Sequence, residues 1–201
     1  MKRLVLLDRD GVINQDSDAF IKSPEEWIPI PGSLESIARL TRAEYSVMVL
    51  TNQSGIARGL FDMETLNNIH GKMLRLLHEK GGSIDAIFFC PHGPDDDCNC
   101  RKPKSGMFED LETRIDQSLI GVPAVGDSLR DLEAAAKVGA LPVLVKTGKG
   151  RKTMKQLATS EFAKTVPDIP VYKDLGAFVD DLLEGGLEAE IEALAGAGGI
   201  A

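Results

Sequence analysis

Cysteine is scarce in this chain, and what there is lies crowded together. Three residues in 201, Cys90, Cys98 and Cys100, fall within eleven positions. An odd number so placed argues against the disulfide frameworks that staple small secreted domains. Basic residues are also short: 23 Lys and Arg against 31 Asp and Glu give a formal net charge of −8. That balance argues against nucleic acid as a general partner, because binding a phosphate backbone needs clustered cations. A small anionic ligand stays open, since a local pocket can be positive on an acidic protein. Long apolar runs are missing too. The first, Leu4 to Leu7, meets charge at once and is too short for a signal-peptide core or a membrane span. A cytoplasmic monomer with no membrane partner is expected.

What is present is ordinary for a globular protein: 43% hydrophobic and 27% charged residues, in a chain long enough to bury a sizeable core. Short apolar runs at 4–7, 46–50, 84–89, 121–125 and 142–145 read as strands. Between them, helical spacing predicts helices over 32–40, 62–80, 107–115 and 129–138. Ser33 and Asp62 are expected to cap the first two, and Gly81-Gly82 and Gly139 to stop the second and fourth. Strand and helix alternating in this way predict an α/β fold, a Rossmann-like parallel sheet with helices on both faces. Residues 1–183 are expected to form one domain. Residues 184–201, rich in Gly, Ala and Glu, read as a tail with a helical turn or two at 188–194.

Ligands of such folds sit at the C-terminal ends of the strands. Four polar clusters follow strand ends here. Asp8-Arg9-Asp10-Gly11 offers two acids, one able to attack phosphorus and one able to move a proton. Thr51-Asn52-Gln53-Ser54-Gly55 offers hydroxyl and amide donors for phosphate oxygens. Arg101-Lys102-Pro103-Lys104 offers positive charge. Gly126-Asp127-Ser128-Leu129-Arg130-Asp131 offers an oxygen ligand for a hard cation in Asp127. Singly, each has a plainer explanation: solvated acids, an ordinary turn, a surface charge run, a helix cap.

A fifth cluster, Cys90-Pro91-His92 followed by Cys98-Asn99-Cys100, supplies three thiolates and an imidazole. That is the ligand count and chemistry of a closed, structural Zn²⁺ site bracing a loop. Buried apolar cysteines or redox thiols are the competing explanations.

Taken together, strand-DxDG, strand-TN, Lys and strand-GDxxxD resemble the haloacid dehalogenase-like phosphatase superfamily over about residues 1–148. The zinc cluster resembles that of members acting on sugar or alcohol phosphates. The resemblance implies Asp8 as nucleophile, Asp10 as acid and base, and Thr51 and Lys102 as phosphate ligands. It also implies a catalytic Mg²⁺ on Asp8, Asp127 and the backbone carbonyl of Asp10. A small phosphorylated sugar is the expected substrate. Asp16, Ser17, Asp18, Ala19, Arg58 and Arg101 are expected to line its sugar side, beside Asn52, Gln53 and Ser54. The intervals between motifs leave no room for a cap domain, so the site should be open. A capped phosphotransferase is therefore disfavoured, and so is a phosphate-binding protein without turnover, because all five reactive groups are present.

Overall fold

Leu4, Val5, Leu6 and Leu7 are buried on both faces, as a central parallel strand requires. In the computed structural model, which describes residues 3–166 and 168–197, they belong to β1 (Arg3–Leu7). The chain continues through α1 (Ser33–Arg42), β2 (Tyr45–Asn52), α2 (Met63–Glu79), β3 (Ala86–Cys90) and α3 (Gly106–Ile115). It then forms β4 (Pro123–Gly126), α4 (Leu129–Ala136), β5 (Leu141–Val145), α5 (Gly150–Leu157) and α6 (Glu161–Thr165). Last come β6 (Val171–Tyr172), α7 (Leu175–Glu184) and α8 (Glu188–Ala197).

The strands form a six-stranded parallel sheet in the order β3-β2-β1-β4-β5-β6. Side chains alternate across it. Val5, Leu7, Val47 and Val49 meet Ile37 and Leu40 of α1, Ile69 and Met73 of α2, and Phe178 of α7. Leu4, Leu6, Met48 and Leu50 meet Phe108 and Leu111 of α3 and Ala134 and Ala135 of α4. The expected helices on both faces are therefore present. Strand order reverses between β1 and β4, which opens a crevice at their C-terminal ends.

Several boundaries differ from expectation. β2 runs on to Asn52, so Thr51 and Asn52 end a strand instead of starting a loop. Ser33 does not cap α1: Gly32 is the N-cap, at φ 84°, and the Ser33 hydroxyl donates to the Ile13 carbonyl at 2.6 Å. Asp62 does cap α2, accepting from Thr65 N at 2.8 Å. Beyond β5 the chain adds α5, α6, β6 and α7, elements that the apolar runs and helical spacing of the sequence do not announce. In the tail, Leu187 is buried and Ile191 and Leu194 pack against the core; residues 198–201 lie outside the described residues. No described helix is long and apolar enough to cross a membrane.

Candidate active site

β1 delivers Asp8 and β4 delivers Asp127 to the crevice. Gly11 lets the two loops meet. It has φ +83°, and a Cβ there would lie 2.1 Å from Asp127 Oδ2. Any side chain would push into the carboxylate, so the close approach requires glycine.

Lys102 enters from the loop after β3 and is 2% exposed. Its ammonium donates to Asp8 Oδ1 at 3.0 Å and to the Leu50 carbonyl at 2.7 Å, and it pairs with Asp131 Oδ1 at 2.7 Å. Asn52 fixes the Lys102 backbone reciprocally, donating to its carbonyl at 3.0 Å and accepting its N–H at 3.1 Å. Gln53, also expected to bind substrate, lines the cleft and braces it. Its amide N–H groups go to Asp10 Oδ2 at 3.0 Å and Thr51 Oγ1 at 2.9 Å. Thr51 thereby accepts and keeps its own hydroxyl proton to donate.

Ligand oxygens of Asp8, Asp127 and Asp131 all lie within 4.8 Å of one another. Burial, then the nearby Asp131 and Asp8 charges, push Asp127 up to about 8. Burial lifts Asp8 to about 6 against the pull of Lys102. Three crowded, buried carboxylates with one lysine among them are a donor set that suits a hard divalent cation. Asp10 stands apart from this cluster. Its carboxylate is held by Arg9, Asn14 and Gln53, and despite burial those partners keep it below the ordinary carboxylate range. Asp131, read from sequence only as a helix stabiliser, does both jobs. Its Oδ2 accepts from Ser128 N at 3.0 Å at the start of α4, while Oδ1 holds Lys102.

The Cys/His cluster assembles at the end of β3. Cys90 Sγ lies 3.8 Å from Cys98 Sγ, 3.1 Å from Cys100 Sγ and 3.5 Å from His92 Nδ1. Tetrahedral zinc with Zn–S bonds of about 2.3 Å has sulfur–sulfur edges of about 3.8 Å, so the four donors fit such an ion after small adjustment. Arg101 Nη1 donates to the His92 carbonyl at 3.2 Å, tying the cluster to the residue before Lys102.

The cleft holds about 240 Å³ and is lined by Asp8, Asp10, Thr51 and Lys102. Asp16, Ser17, Asp18, Arg58 and Arg101 line it as expected, and so do Asn52, Gln53 and Ser54. Ala19 does not line it, and its carbonyl instead accepts from Lys22 Nζ at 2.8 Å. Phe20, Ile21, Arg130, Asp131 and Lys149 line it without having been anticipated. Lys149 spans the mouth, pairing with Asp16 at 3.0 Å and Asp18 at 3.2 Å, while its backbone N–H donates to Asp127 Oδ2 at 2.7 Å. It follows β5, and the strand-end rule applied to the other polar clusters would have found it. Arg58, Arg101 and Arg130 face the same cleft. Burial, then the charges of Arg130 and Arg58, make Arg101 easier to deprotonate than usual.

Two family models match the chain, HAD-hydrolase-like over residues 99–176 and polynucleotide kinase 3 phosphatase over residues 4–134. The chain belongs to the haloacid dehalogenase-like phosphatases. Within that family it is 59% identical to the D-glycero-β-D-manno-heptose-1,7-bisphosphate 7-phosphatase of Bordetella bronchiseptica, over 90% of this chain and 98% of that one. The Pseudomonas putida enzyme of the same name is 50% identical, over 90% and 99%. The crystal structure of the B. bronchiseptica D,D-heptose 1,7-bisphosphate phosphatase, complexed with magnesium and phosphate, superposes with a TM-score of 0.84, covering 92% of this chain and 99% of that one. The Burkholderia thailandensis enzyme is 47% identical with a TM-score of 0.69, covering 90% and 99%.

Proposed function

We propose that this haloacid dehalogenase-like phosphatase removes the 7-phosphate of D-glycero-D-manno-heptose 1,7-bisphosphate through an aspartyl-phosphate intermediate. The observation that carries the reading is a cleft lined by four cationic side chains, Lys102 against Asp8 together with Arg58, Arg101 and Arg130. That is more positive charge than a single phosphate needs, and it suits a bisphosphate whose second phosphate stays on the sugar.

Asp8 attacks phosphorus in line, and the bond from phosphorus to the sugar oxygen breaks. Asp10 gives its proton to that oxygen. In this structure Asp10 favours the ionised form, but an arriving phosphate dianion opposes its charge and draws a proton onto it. In the second step Asp10 takes a proton from water as the water oxygen attacks phosphorus, releasing inorganic phosphate and regenerating Asp8. Lys102 and the Thr51 hydroxyl hold the transferring oxygens. Asp8, Asp127 and the Asp10 carbonyl would hold Mg²⁺, which supplies charge neutralisation at the transferring group. Cys90, His92, Cys98 and Cys100 would hold a structural Zn²⁺ that fixes the Arg101-Lys102 segment. The working unit is the 1–183 domain with its tail, as a cytoplasmic monomer.

Phosphate release measured side by side on heptose bisphosphate and histidinol phosphate tests the reading, with phosphorus NMR of the product identifying which phosphate has gone. Faster release from histidinol phosphate would favour an alcohol-phosphate phosphatase. Release from neither, nor from a nitrophenyl ester, would leave a phosphate-binding protein.

A further inference from the structure

Arg9 sits between the two acids of the first motif, yet its side chain is fully buried. A guanidinium carries donors only, so burying it requires acceptors for its N–H groups. Asp10 supplies most of them. Nη2 lies 3.0 Å from both Asp10 oxygens, and Nε lies 3.2 Å from Oδ1. Nη2 also reaches Gln53 Oε1 at 3.2 Å. On the far side, Nη1 lies 3.2 Å from Nε2 of His70, a residue of α2 that is 8% exposed and does not line the cleft.

Because the guanidinium can only donate, His70 Nε2 must accept. The imidazole is therefore neutral and carries its proton on Nδ1. Burial and the Arg9 charge keep it neutral, pulling it down to about 4. Arg9 is thus gripped at both ends, by a neutral acceptor behind and a carboxylate in front. Asn14 Nδ2 at 2.8 Å and Gln53 Nε2 at 3.0 Å complete the hold on Asp10.

We propose that His70 is a positioning residue for the proton-transfer step: by accepting from Arg9 it orients the guanidinium that aims the Asp10 carboxylate. The inference rests on the phosphatase reading and deepens it. His70 touches neither substrate nor nucleophile, so losing it leaves Asp8, Lys102 and the metal carboxylates in place. What it loses is the acceptor that holds Arg9, and with it the aim of Asp10. Hydrolysis of the aspartyl phosphate also uses Asp10 and is common to all esters, so the selective defect should appear in kcat/KM, which reports the step that expels the leaving oxygen, and only where that oxygen needs a proton.

The test compares a sugar phosphate with p-nitrophenyl phosphate, whose leaving group needs little protonation. In His70→Leu, kcat/KM on the sugar ester should fall by about tenfold or more, as for other residues that orient a reacting group through a hydrogen bond. On the nitrophenyl ester it should fall far less. His70→Gln, whose amide oxygen can accept from Arg9, should recover most of the loss. Arg9→Lys keeps the buried charge without the fork, and should give the same selective loss should the leucine variant not fold. With Arg9→Lys as background, His70→Leu should add little. Equal losses on both esters, no rescue by glutamine, or additive effects would overturn the relay. Wild-type turnover separates the two readings: activity on neither ester sinks the phosphatase, whereas activity on both with unchanged selectivity in the variants sinks only the role of His70.

Discussion

The ammonium of Lys102 lies 3.0 Å from Oδ1 of Asp8, across 94 positions of sequence. Both side chains are almost wholly buried, so the contact is made in a medium that screens it weakly. In the proposed reaction it leaves a cation beside the attacking oxygen. Lys102 lies two residues after Cys100, a member of the Cys/His cluster. The order of that cluster and the position of this buried cation are therefore one structural question.

Asp8→Asn should abolish turnover, by at least about a thousandfold, because it removes the nucleophile while changing little volume. Lys102 keeps Asp131 at 2.7 Å as a partner, so the variant should fold normally. Steady-state kinetics and a thermal melt check both halves. Appreciable turnover by the pure variant would remove Asp8 from its role.

Asp10→Asn should lose least on esters with good leaving groups. Proton transfer of this kind contributes about 10²- to 10⁴-fold, and in kcat/KM, which ends at expulsion of the leaving group, most of that should vanish for a sugar phosphate but not for a nitrophenyl ester. Parallel losses on the two would count against Asp10 as the acid.

The two metal sites should separate. Chelator should remove Mg²⁺ from the site formed by Asp8, Asp127 and the Asp10 carbonyl and stop turnover, with added Mg²⁺ restoring it. One zinc per chain, by contrast, should survive purification on the thiolates. Cys98→Ser or Cys100→Ser should release zinc and weaken substrate binding and turnover together, because the loop they close carries Arg101 and Lys102. Magnesium affinity should change much less, since its carboxylates lie on other strand ends. Elemental analysis, binding measurements and kinetics on the same preparations decide it, and a zinc-free variant with full activity and stability would end the bracing role.

Stability should fall on mild acidification through His70. Its folded pKa of about 4 lies below the ordinary value of 6.5, so between those limits the unfolded chain binds the extra proton. The sign is therefore a loss of stability as pH drops from 6.5 toward 4, at most roughly 3 kcal/mol from this one group. Denaturant midpoints at pH 7 and pH 5 should separate further in the native protein than in His70→Gln. Equal separations would mean His70 is not held neutral.

The alternation of strand and helix, and the arrival of Asp8, Thr51, Lys102 and Asp127 at strand ends, were legible in the sequence because both follow from local pattern. A parallel strand buried on both faces reads as a continuous apolar run, and its polar successor must lie at the sheet edge. The four zinc donors were legible for a similar reason, being unusual residues within one short segment. The sequence could not say which way individual polar side chains turn. Asn52 and Gln53 both line the cleft, and in the free protein one fixes the Lys102 backbone while the other ties Asp10 to Thr51. Asp131 is both cap and lysine partner, and Lys149 crosses the cleft mouth from a strand end that had been passed over. Above all, the pairing of Arg9 with His70 is decided only in three dimensions. The sequence determined which groups reach the edge of the sheet. The tertiary structure decided which of them face the cleft and which hold the others, because a buried donor or charge is satisfied by whatever partner the packing brings within about 3 Å, however distant in the chain.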